Sequence, residues 1–193
     1  MKKKNRLLIY PLIGMGLVLI LTGSLKNDDL TSGLEVGQNN QGGKIFYILQ
    51  PGDPGYDAKV QHGLIAPPID QSTAIQWWNG SDTTTGAKGT ALGTGNANTN
   101  KIVIVQGIGS YAAKLCYDLK LGGYSDWYLP SKDELNKLYL NKTAIGGFAN
   151  DDYWSSSEFP DSDGLVWTQY FGNGSQSSYG KDHLSYVRAI RAF

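Results

Sequence analysis

The spacing of apolar residues changes along the chain and predicts both strands and helices. Apolar blocks at residues 44–49 and 63–66, each next to Pro or Gly residues, are typical of strands. Apolar residues three and four positions apart predict helices over residues 110–121 and 131–140. The second helix begins with the capping box Ser131-Lys132-Asp133-Glu134, which satisfies free backbone groups at a helix start.

Short strands separated by turns dominate the last part of the chain. They are predicted at residues 153–155, 166–171 and 186–192, with turns rich in Gly, Asp and Ser between them. Residues 83–100 contain almost no hydrophobic residues apart from Leu92 and predict a long surface loop. The predicted fold class is α+β, with two helices, short antiparallel strands and long loops.

The start of the chain predicts export. Four cations among the first six residues precede an apolar run at 7–21, and small residues follow up to Ser24. This pattern is typical of a signal peptide over residues 1–24 that engages the export machinery; a retained membrane anchor is the alternative. Residues 25–41 predict a polar linker, and residues 42–193 predict one domain. The expected location is the cell envelope or cell surface, or the medium after secretion.

Charge and cysteine content narrow the function classes. Without the four cations of the predicted signal, thirteen cations face seventeen acids, a net charge of about −4. An acidic domain of this kind argues against nucleic-acid binding, which needs a basic surface. Cys116 is the only cysteine, so no intrachain disulfide forms, and its helical spacing with Leu115 and Leu119 predicts a buried core thiol.

Two segments resemble cofactor motifs in outline. Residues 102–105 predict a strand, and the glycines at 107 and 109 before a helix resemble a dinucleotide-binding turn. The second strand with its terminal acid is missing, so a glycine turn into a capped helix is favoured. Residues 161–164 begin like a calcium loop, but Gly172 occupies the position where that loop needs an acid, which favours a surface turn. No cofactor is expected, although a structural calcium ion involving residues 151–152 stays open.

Few residues offer catalytic chemistry. The chain contains two histidines, His62 and His183, and none of the common hydrolase or metalloprotease motifs. Glu158 follows three serines and is interpreted as part of a buried network that anchors its strand, with Arg188 and Arg191 as candidate partners for such acids. We therefore expect no catalytic residue and no enzymatic activity.

The tryptophans predict core packing more than ligand contact. Trp127 and Trp154 lie in apolar strand contexts, where packing is the default. Trp77 and Trp78 are adjacent, and neighbours on a strand point to opposite faces, so one of the two is a candidate ligand contact.

Several segments together resemble the bacterial Lcl C-terminal domain family. They are Gln61-His62-Gly63-Leu64-Ile65-Ala66, Ile75-Gln76-Trp77-Trp78-Asn79-Gly80, Gly122-Gly123-Tyr124-Ser125-Asp126-Trp127-Tyr128-Leu129-Pro130-Ser131, Tyr153-Trp154-Ser155-Ser156-Ser157-Glu158 and Val187-Arg188-Ala189-Ile190-Arg191-Ala192-Phe193. The resemblance implies a C-type-lectin-like fold, related to that of formylglycine-generating enzymes, and exported proteins that include an adhesin for sulfated glycans. The cysteine pair of those enzymes is missing here, as are the calcium-dependent sugar motifs of animal lectins.

The C-terminal region also resembles the variable region of proteins diversified by a retroelement. In such proteins Asn codons change at adenines alone, which yields Ser, Tyr, Gly, Asp, His or Leu. Residues 177–180 and 182–185 are drawn from this set, whereas Gln176 and Lys181 fall outside it. An ordinary pair of serine-rich loops is the alternative interpretation.

These features predict a noncatalytic binding module that recognises an extracellular glycan or protein through C-terminal loops, as an adhesin does. Tyr, Ser, Gly and Asn give contact area and adaptable hydrogen bonds, as in antibody loops. An envelope enzyme of the formylglycine-generating type and a structural domain of a surface assembly are the alternatives. The candidate ligand contacts are Phe159, Asp161, Asp163, Leu165, Tyr170, Asn173, Ser175, Ser177, Ser178, Tyr179, Asp182, His183, Ser185 and Tyr186.

Overall fold

The computed structural model describes residues 33–193. The predicted signal at 1–24 and the first part of the predicted linker therefore lie outside the described residues. Folded structure begins before residue 42, because strand β1 (Asn39–Asn40) pairs with β2 (Gly43–Ile48). Among the described residues, no helix combines the length and the apolar character needed to cross a membrane.

Two sheets organise the domain. The four-stranded sheet has the order β1-β2-β3-β9, and the five-stranded sheet has the order β4-β8-β5-β6-β7. Neighbouring strands are antiparallel except for β5 and β8, which are parallel. The remaining strands are β3 (Gly63–Ala66), β4 (Ser72–Ile75), β5 (Asp152–Glu158), β6 (Leu165–Tyr170), β7 (Gln176–Gly180), β8 (Ser185–Val187) and β9 (Arg191–Ala192).

Residues 33–193 contain four helices, two more than predicted: α1 (Gly95–Gln106), α2 (Ala112–Tyr117), α3 (Lys132–Leu140) and α4 (Lys142–Ile145). The capping box of α3 is confirmed: the Glu134 amide donates to the Ser131 hydroxyl at 3.3 Å, and the Ser131 amide donates to the Glu134 carboxylate at 2.8 Å. Helix α2 forms where a helix was predicted but is shorter at both ends.

The predicted strand at 102–105 is wrong, because these residues form the second half of α1. The predicted loop at 83–100 is also wrong from residue 95 onward, because α1 begins there. Tertiary contacts override the strand preference of the β-branched residues here. Ile102 is buried in the core, and the Thr99 hydroxyl accepts from the Leu129 amide at 3.0 Å. Asn98 is also buried and donates to the Gly89 carbonyl at 2.6 Å. The buried polar side chains of α1 thus have hydrogen-bond partners inside the fold.

The predicted strand at 186–192 divides into two. Strand β8 belongs to the five-stranded sheet and β9 to the four-stranded sheet, so the chain crosses between sheets at residues 188–190. The buried Arg188 guanidinium holds this crossing: it donates to Asp70 at 2.7 Å, and to the carbonyls of Pro67 at 2.7 Å and Gly147 at 2.6 Å. An arginine is suited to such a site because its planar fork serves several acceptors at once.

The core forms two clusters of buried residues. Trp127 and Trp154 belong to the first cluster, as predicted, and so does Cys116, which confirms the buried thiol. The second cluster centres on aromatic rings, with Tyr153 and Phe171 at 4.3 Å between centroids. Trp77 is also buried, and its indole N–H donates to the Ser155 carbonyl at 2.9 Å. The prediction of a strand at Trp77 and Trp78 is wrong, because β4 ends at Ile75.

Candidate functional site

Strand β7 forms one edge of the five-stranded sheet and sorts the candidate residues onto two faces. Tyr179 pairs with Val166 and Ser177 with Thr168 in the neighbouring strand β6. Because side chains alternate along a strand, Ser177 and Tyr179 share one face, and Gln176, Ser178 and Gly180 share the other. The prediction that this segment is a loop is wrong, since its backbone continues the sheet.

The first face, which we call the tyrosine face, consists of Asp152, Tyr170, Ser177, Tyr179 and the adjoining His183. Tyr170 pairs across strands with Asp152, which places both on the same side of the sheet as Thr168 and Ser177. Four of its five members were predicted from the sequence. The sequence predicts Asp152 only as a possible calcium ligand. Because Asp152 precedes the buried Tyr153 on a strand, where neighbouring side chains point to opposite faces, its place on this face is also predictable.

The rings of Tyr179 and His183 stack on this face. Their centroids lie 4.6 Å apart and their planes differ by 15°. The His183 amide donates to the Gly180 carbonyl at 3.0 Å, so a tight turn returns the imidazole over the strand. The edge of the buried Trp154 ring lies below, with its centroid 6.2 Å from that of His183. The stacked pair is therefore exposed to solvent but supported from the core.

Two acidic residues, Asp151 and Asp152, lie beside the stacked pair. Burial raises the pKa of Asp152, and the neighbouring charge of Asp151 raises it further, whereas His183 and the Tyr179 hydroxyl oppose these effects. The charge of Asp152 is in turn the main cause of the raised pKa of Tyr179. Asp182 is exposed on the same turn as His183, but its carboxylate lies 2.6 Å from the position that a Cβ on Gly180 would occupy, on the other side of β7. The tyrosine face thus combines aromatic surface with negative charge.

The opposite face of β6 and β7 carries a different group of predicted contacts. Phe159 lies beside Trp167 with 4.9 Å between ring centroids, and Ser178 pairs with Trp167 across the strands. The Lys132 ammonium lies 3.9 Å from the centre of the Trp167 ring, a cation–π contact. Leu165 lies at the same parity as Trp167 along β6. Phe159, Leu165 and Ser178 therefore do not share a surface with Tyr179.

The remaining predicted contacts lie in turns or inside the fold. Asp161 and Asp163 are exposed between β5 and β6, and Asn173 accepts from the amide of the exposed Ser175 at 2.9 Å between β6 and β7. Ser185 is only 1% exposed, so its prediction as a ligand contact is wrong: the sheet covers it.

Tyr186, another predicted contact, is half-buried, with its ring centroid 5.2 Å from that of Tyr153. It therefore packs mainly against the second core cluster.

A buried ion pair supports the turn that carries His183. The Lys181 ammonium lies 2.8 Å from the Glu158 carboxylate, and both side chains are inaccessible to solvent. Glu158 also accepts from the amides of Thr85 at 2.9 Å and Ala87 at 3.1 Å, and Lys181 donates to the Thr83 carbonyl at 3.0 Å. The predicted buried network around Glu158 is confirmed.

Arg188 and Arg191 pair with acids, as predicted, but the prediction of Glu158 as a partner is wrong. Arg188 pairs with Asp70, and Arg191 pairs with Asp126. Within residues 33–193, moreover, no group of three or more acids, histidines and cysteines is arranged to hold a metal ion. The calcium alternative therefore has no cluster of three or more acidic ligands in this part of the chain.

The fold defines a mixed α+β domain of two mainly antiparallel sheets, with a polar and aromatic face at the edge of the larger sheet. The family model described as the Lcl C-terminal domain matches residues 68–191, and the chain belongs to this family. No curated protein matches the chain. The family match covers the whole five-stranded sheet, including the tyrosine face.

Proposed function

We propose that this protein is an exported, noncatalytic binding module of the cell envelope with a C-type-lectin-like fold, and that it binds its ligand through the tyrosine face. The observation that carries the proposal is the exposed stack of Tyr179 on His183, 4.6 Å apart. Exposed aromatic rings held by a rigid sheet supply large contact area at low entropic cost. An adhesin uses such a surface to hold a ligand without changing it.

The chemistry of the face favours a neutral glycan. An aromatic ring packs against the apolar side of a sugar ring, and carboxylates accept hydrogen bonds from its hydroxyls. Asp151 and Asp152 make the face acidic, which disfavours a sulfated glycan by like-charge repulsion. A neutral oligosaccharide is therefore the proposed ligand class, in place of the sulfated glycans that the family resemblance implies.

The noncatalytic part of the proposal is supported by the state of the two most reactive residue types. The Cys116 thiol is fully buried, and burial raises its pKa, which disfavours the nucleophilic thiolate. His62 lies 3.1 Å from the Phe193 main-chain oxygen through Nδ1, a structural contact. His183 stacks on Tyr179 and is placed to bind.

The pattern of fixed and exposed positions supports diversification of this face by a retroelement. Lys181, which falls outside the set of residue types reached from Asn codons, is buried in the ion pair with Glu158. Gln176, the other exception, donates to the Lys132 carbonyl at 3.0 Å and so joins strand β7 to α3. Ser177, Tyr179, Asp182 and His183, which belong to the set, are exposed, whereas Ser185, another member, is buried.

Binding to an array of neutral oligosaccharides, with heparin as the sulfated probe, tests the proposal. We expect Tyr179→Ala and His183→Ala each to lower binding at least about tenfold, as for central contacts in other interfaces, with little change in melting temperature. Tyr56→Ala is the matched control, because Tyr56 is 39% exposed and Tyr179 37% exposed. Unchanged binding in both variants would overturn the placement, and stronger binding to heparin would overturn the neutral ligand class.

A further inference from the structure

A cavity of about 360 Å³ lies away from the tyrosine face, against the four-stranded sheet. Its walls come from the loop after β2, from strands β3 and β9, and from the segment before α1. Leu49, Leu64, Leu92, Tyr128 and Phe193 supply most of the apolar wall, and His62 lies beside them. We call it the Phe193 pocket. The cavity is partly open to solvent, and a concave, mainly apolar site of this size is typical of a ligand site.

Hydrogen bonds hold the walls of the Phe193 pocket in place. Gly63 and Phe193 exchange two backbone hydrogen bonds, at 3.2 and 3.0 Å, across the strands. The loop after β2 is fixed by Asp53, whose carboxylate accepts from the Tyr47 hydroxyl and from the Gln50 amide, both at 2.7 Å. The pocket is therefore formed before any ligand arrives, which lowers the entropic cost of binding.

Position 63 must be glycine for this wall to exist. A Cβ at Gly63 would lie 2.3 Å from the Tyr47 carbonyl oxygen and 2.9 Å from the Phe193 ring. The aromatic ring of Phe193 consequently packs directly over the backbone of residue 63 in the wall of the pocket.

Two polar groups in the wall of the pocket restrict how a ligand can be oriented there. The Phe193 main-chain oxygen can only accept, so the His62 Nδ1 at 3.1 Å carries a hydrogen, and in the neutral tautomer with this hydrogen Nε2 is left as an acceptor. Asn96 accepts from Asn100 through Oδ1 at 2.8 Å, which leaves its amide nitrogen as a donor. Among the described residues that line the pocket, none is an acid, a lysine or an arginine.

We propose that the Phe193 pocket binds a small, uncharged and mainly apolar ring compound that carries one N–H or O–H donor. The cavity volume suits a molecule of one or two rings, the apolar wall disfavours an ionised ligand, and the His62 acceptor selects for the donor. This site shares no residue with the tyrosine face, and the inference does not depend on the proposed function.

Indole and benzofuran, which differ in the N–H donor, test the proposal when titrated against the full chain by NMR and calorimetry. We expect indole to shift the amides of Gly63 and Gly93 and to leave those of Ser177 and Tyr179 unmoved. Benzofuran should bind about fivefold more weakly, the value of one hydrogen bond. His62→Phe should remove this preference. Equal affinity of the two probes, or the absence of shifts at Gly63 and Gly93 at millimolar indole, would overturn the proposal.

A filling substitution gives a second, independent result. Ala192→Trp places a large ring at the pocket wall and should weaken indole binding more than tenfold. Ala74→Trp is its control, since Ala74 is also an exposed strand residue but lies outside the pocket. Thermal melting confirms that each variant is folded. Indole binding that survives in folded Ala192→Trp protein would overturn the site.

Discussion

Lys181 and Glu158 form an ion pair of 2.8 Å that is closed to solvent on both sides. Loss of the Lys181 ammonium leaves the buried Glu158 carboxylate without a partner of opposite charge. An unpaired charge in a poorly solvated site destabilises the folded state strongly. We expect Lys181→Met to lower the free energy of unfolding by about 3–5 kcal/mol. Urea unfolding followed by tryptophan fluorescence measures this change.

Lys114→Met is the matched control for that experiment. Lys114 pairs with Asp118 one helical turn away, and the pair is exposed, so its loss should cost less than about 1 kcal/mol. Lys181→Met combined with Glu158→Gln should cost less than the sum of the two single changes, because neither buried charge remains. Similar losses for Lys181→Met and Lys114→Met would show that the buried pair does not support the turn.

Replacement of Arg188, at the crossing between the sheets, by lysine should destabilise the fold. Its guanidinium donates to Asp70 and to the carbonyls of Pro67 and Gly147, and one ammonium cannot reach all of these acceptors. We expect Arg188→Lys to cost about 2–3 kcal/mol, the value of one or two lost charge-assisted hydrogen bonds.

Arg191→Lys should cost less than about 1 kcal/mol, because its partner Asp126 is 56% exposed. Chemical denaturation of both variants under identical conditions checks the difference. A loss for Arg191→Lys as large as that for Arg188→Lys would contradict the assignment.

The Cys116 thiol should be unreactive in the folded protein. It is fully buried, and burial raises its pKa, so little thiolate is present at neutral pH. We expect negligible reaction with Ellman's reagent at pH 8 under native conditions and one thiol per chain after addition of 6 M guanidinium (about the concentration that unfolds most domains). Rapid native labelling would mean that the first core cluster opens readily.

Glu134 should make stability depend on pH. Burial raises the pKa of this carboxyl above its ordinary value of 4.5, despite hydrogen bonds from Ser131 and Gly93 that act in the opposite direction. The folded state therefore binds a proton more tightly than the unfolded state. The stabilisation that comes from this tighter binding of the Glu134 proton is complete below pH 4.5, and it is lost as the pH rises through the folded-state pKa.

Urea unfolding of the parent and Glu134→Gln proteins between pH 4 and pH 8 measures this linkage (roughly the window around the two pKa values). The advantage of the parent over Glu134→Gln should grow as the pH falls through this window. Asp133→Asn controls for the loss of one charge on the same helix turn, because Asp133 is exposed. A pH dependence that is the same in the parent and in Glu134→Gln would contradict the role of Glu134.

Local signals in the sequence predicted the elements that local interactions build. Helix α3 follows from its capping box, whose two hydrogen bonds join residues three positions apart. Strands β2 and β3 follow from apolar blocks between glycine and proline turns. The α+β class followed from the order of these elements.

Helix α1 and strand β7 could not be predicted in this way. The end of α1 is rich in β-branched residues, and it is helical because Asn98, Thr99 and Ile102 fit buried sites supplied by distant segments. Strand β7 is polar and has no hydrophobic alternation, so its pairing with β6 depends on the sheet that is already present.

Part of the candidate site could be predicted from the sequence, and part depends on the tertiary structure. Residue types alone identified Tyr179 and His183, because aromatic and small polar residues between two apolar strands indicate a binding surface. Tertiary structure decided that these two rings stack beside Asp152, that Phe159 and Ser178 face the other side of the sheet, and that Ser185 is buried. The physical reason is that which face a side chain occupies depends on strand register, and register is fixed by cross-strand hydrogen bonds and long-range packing.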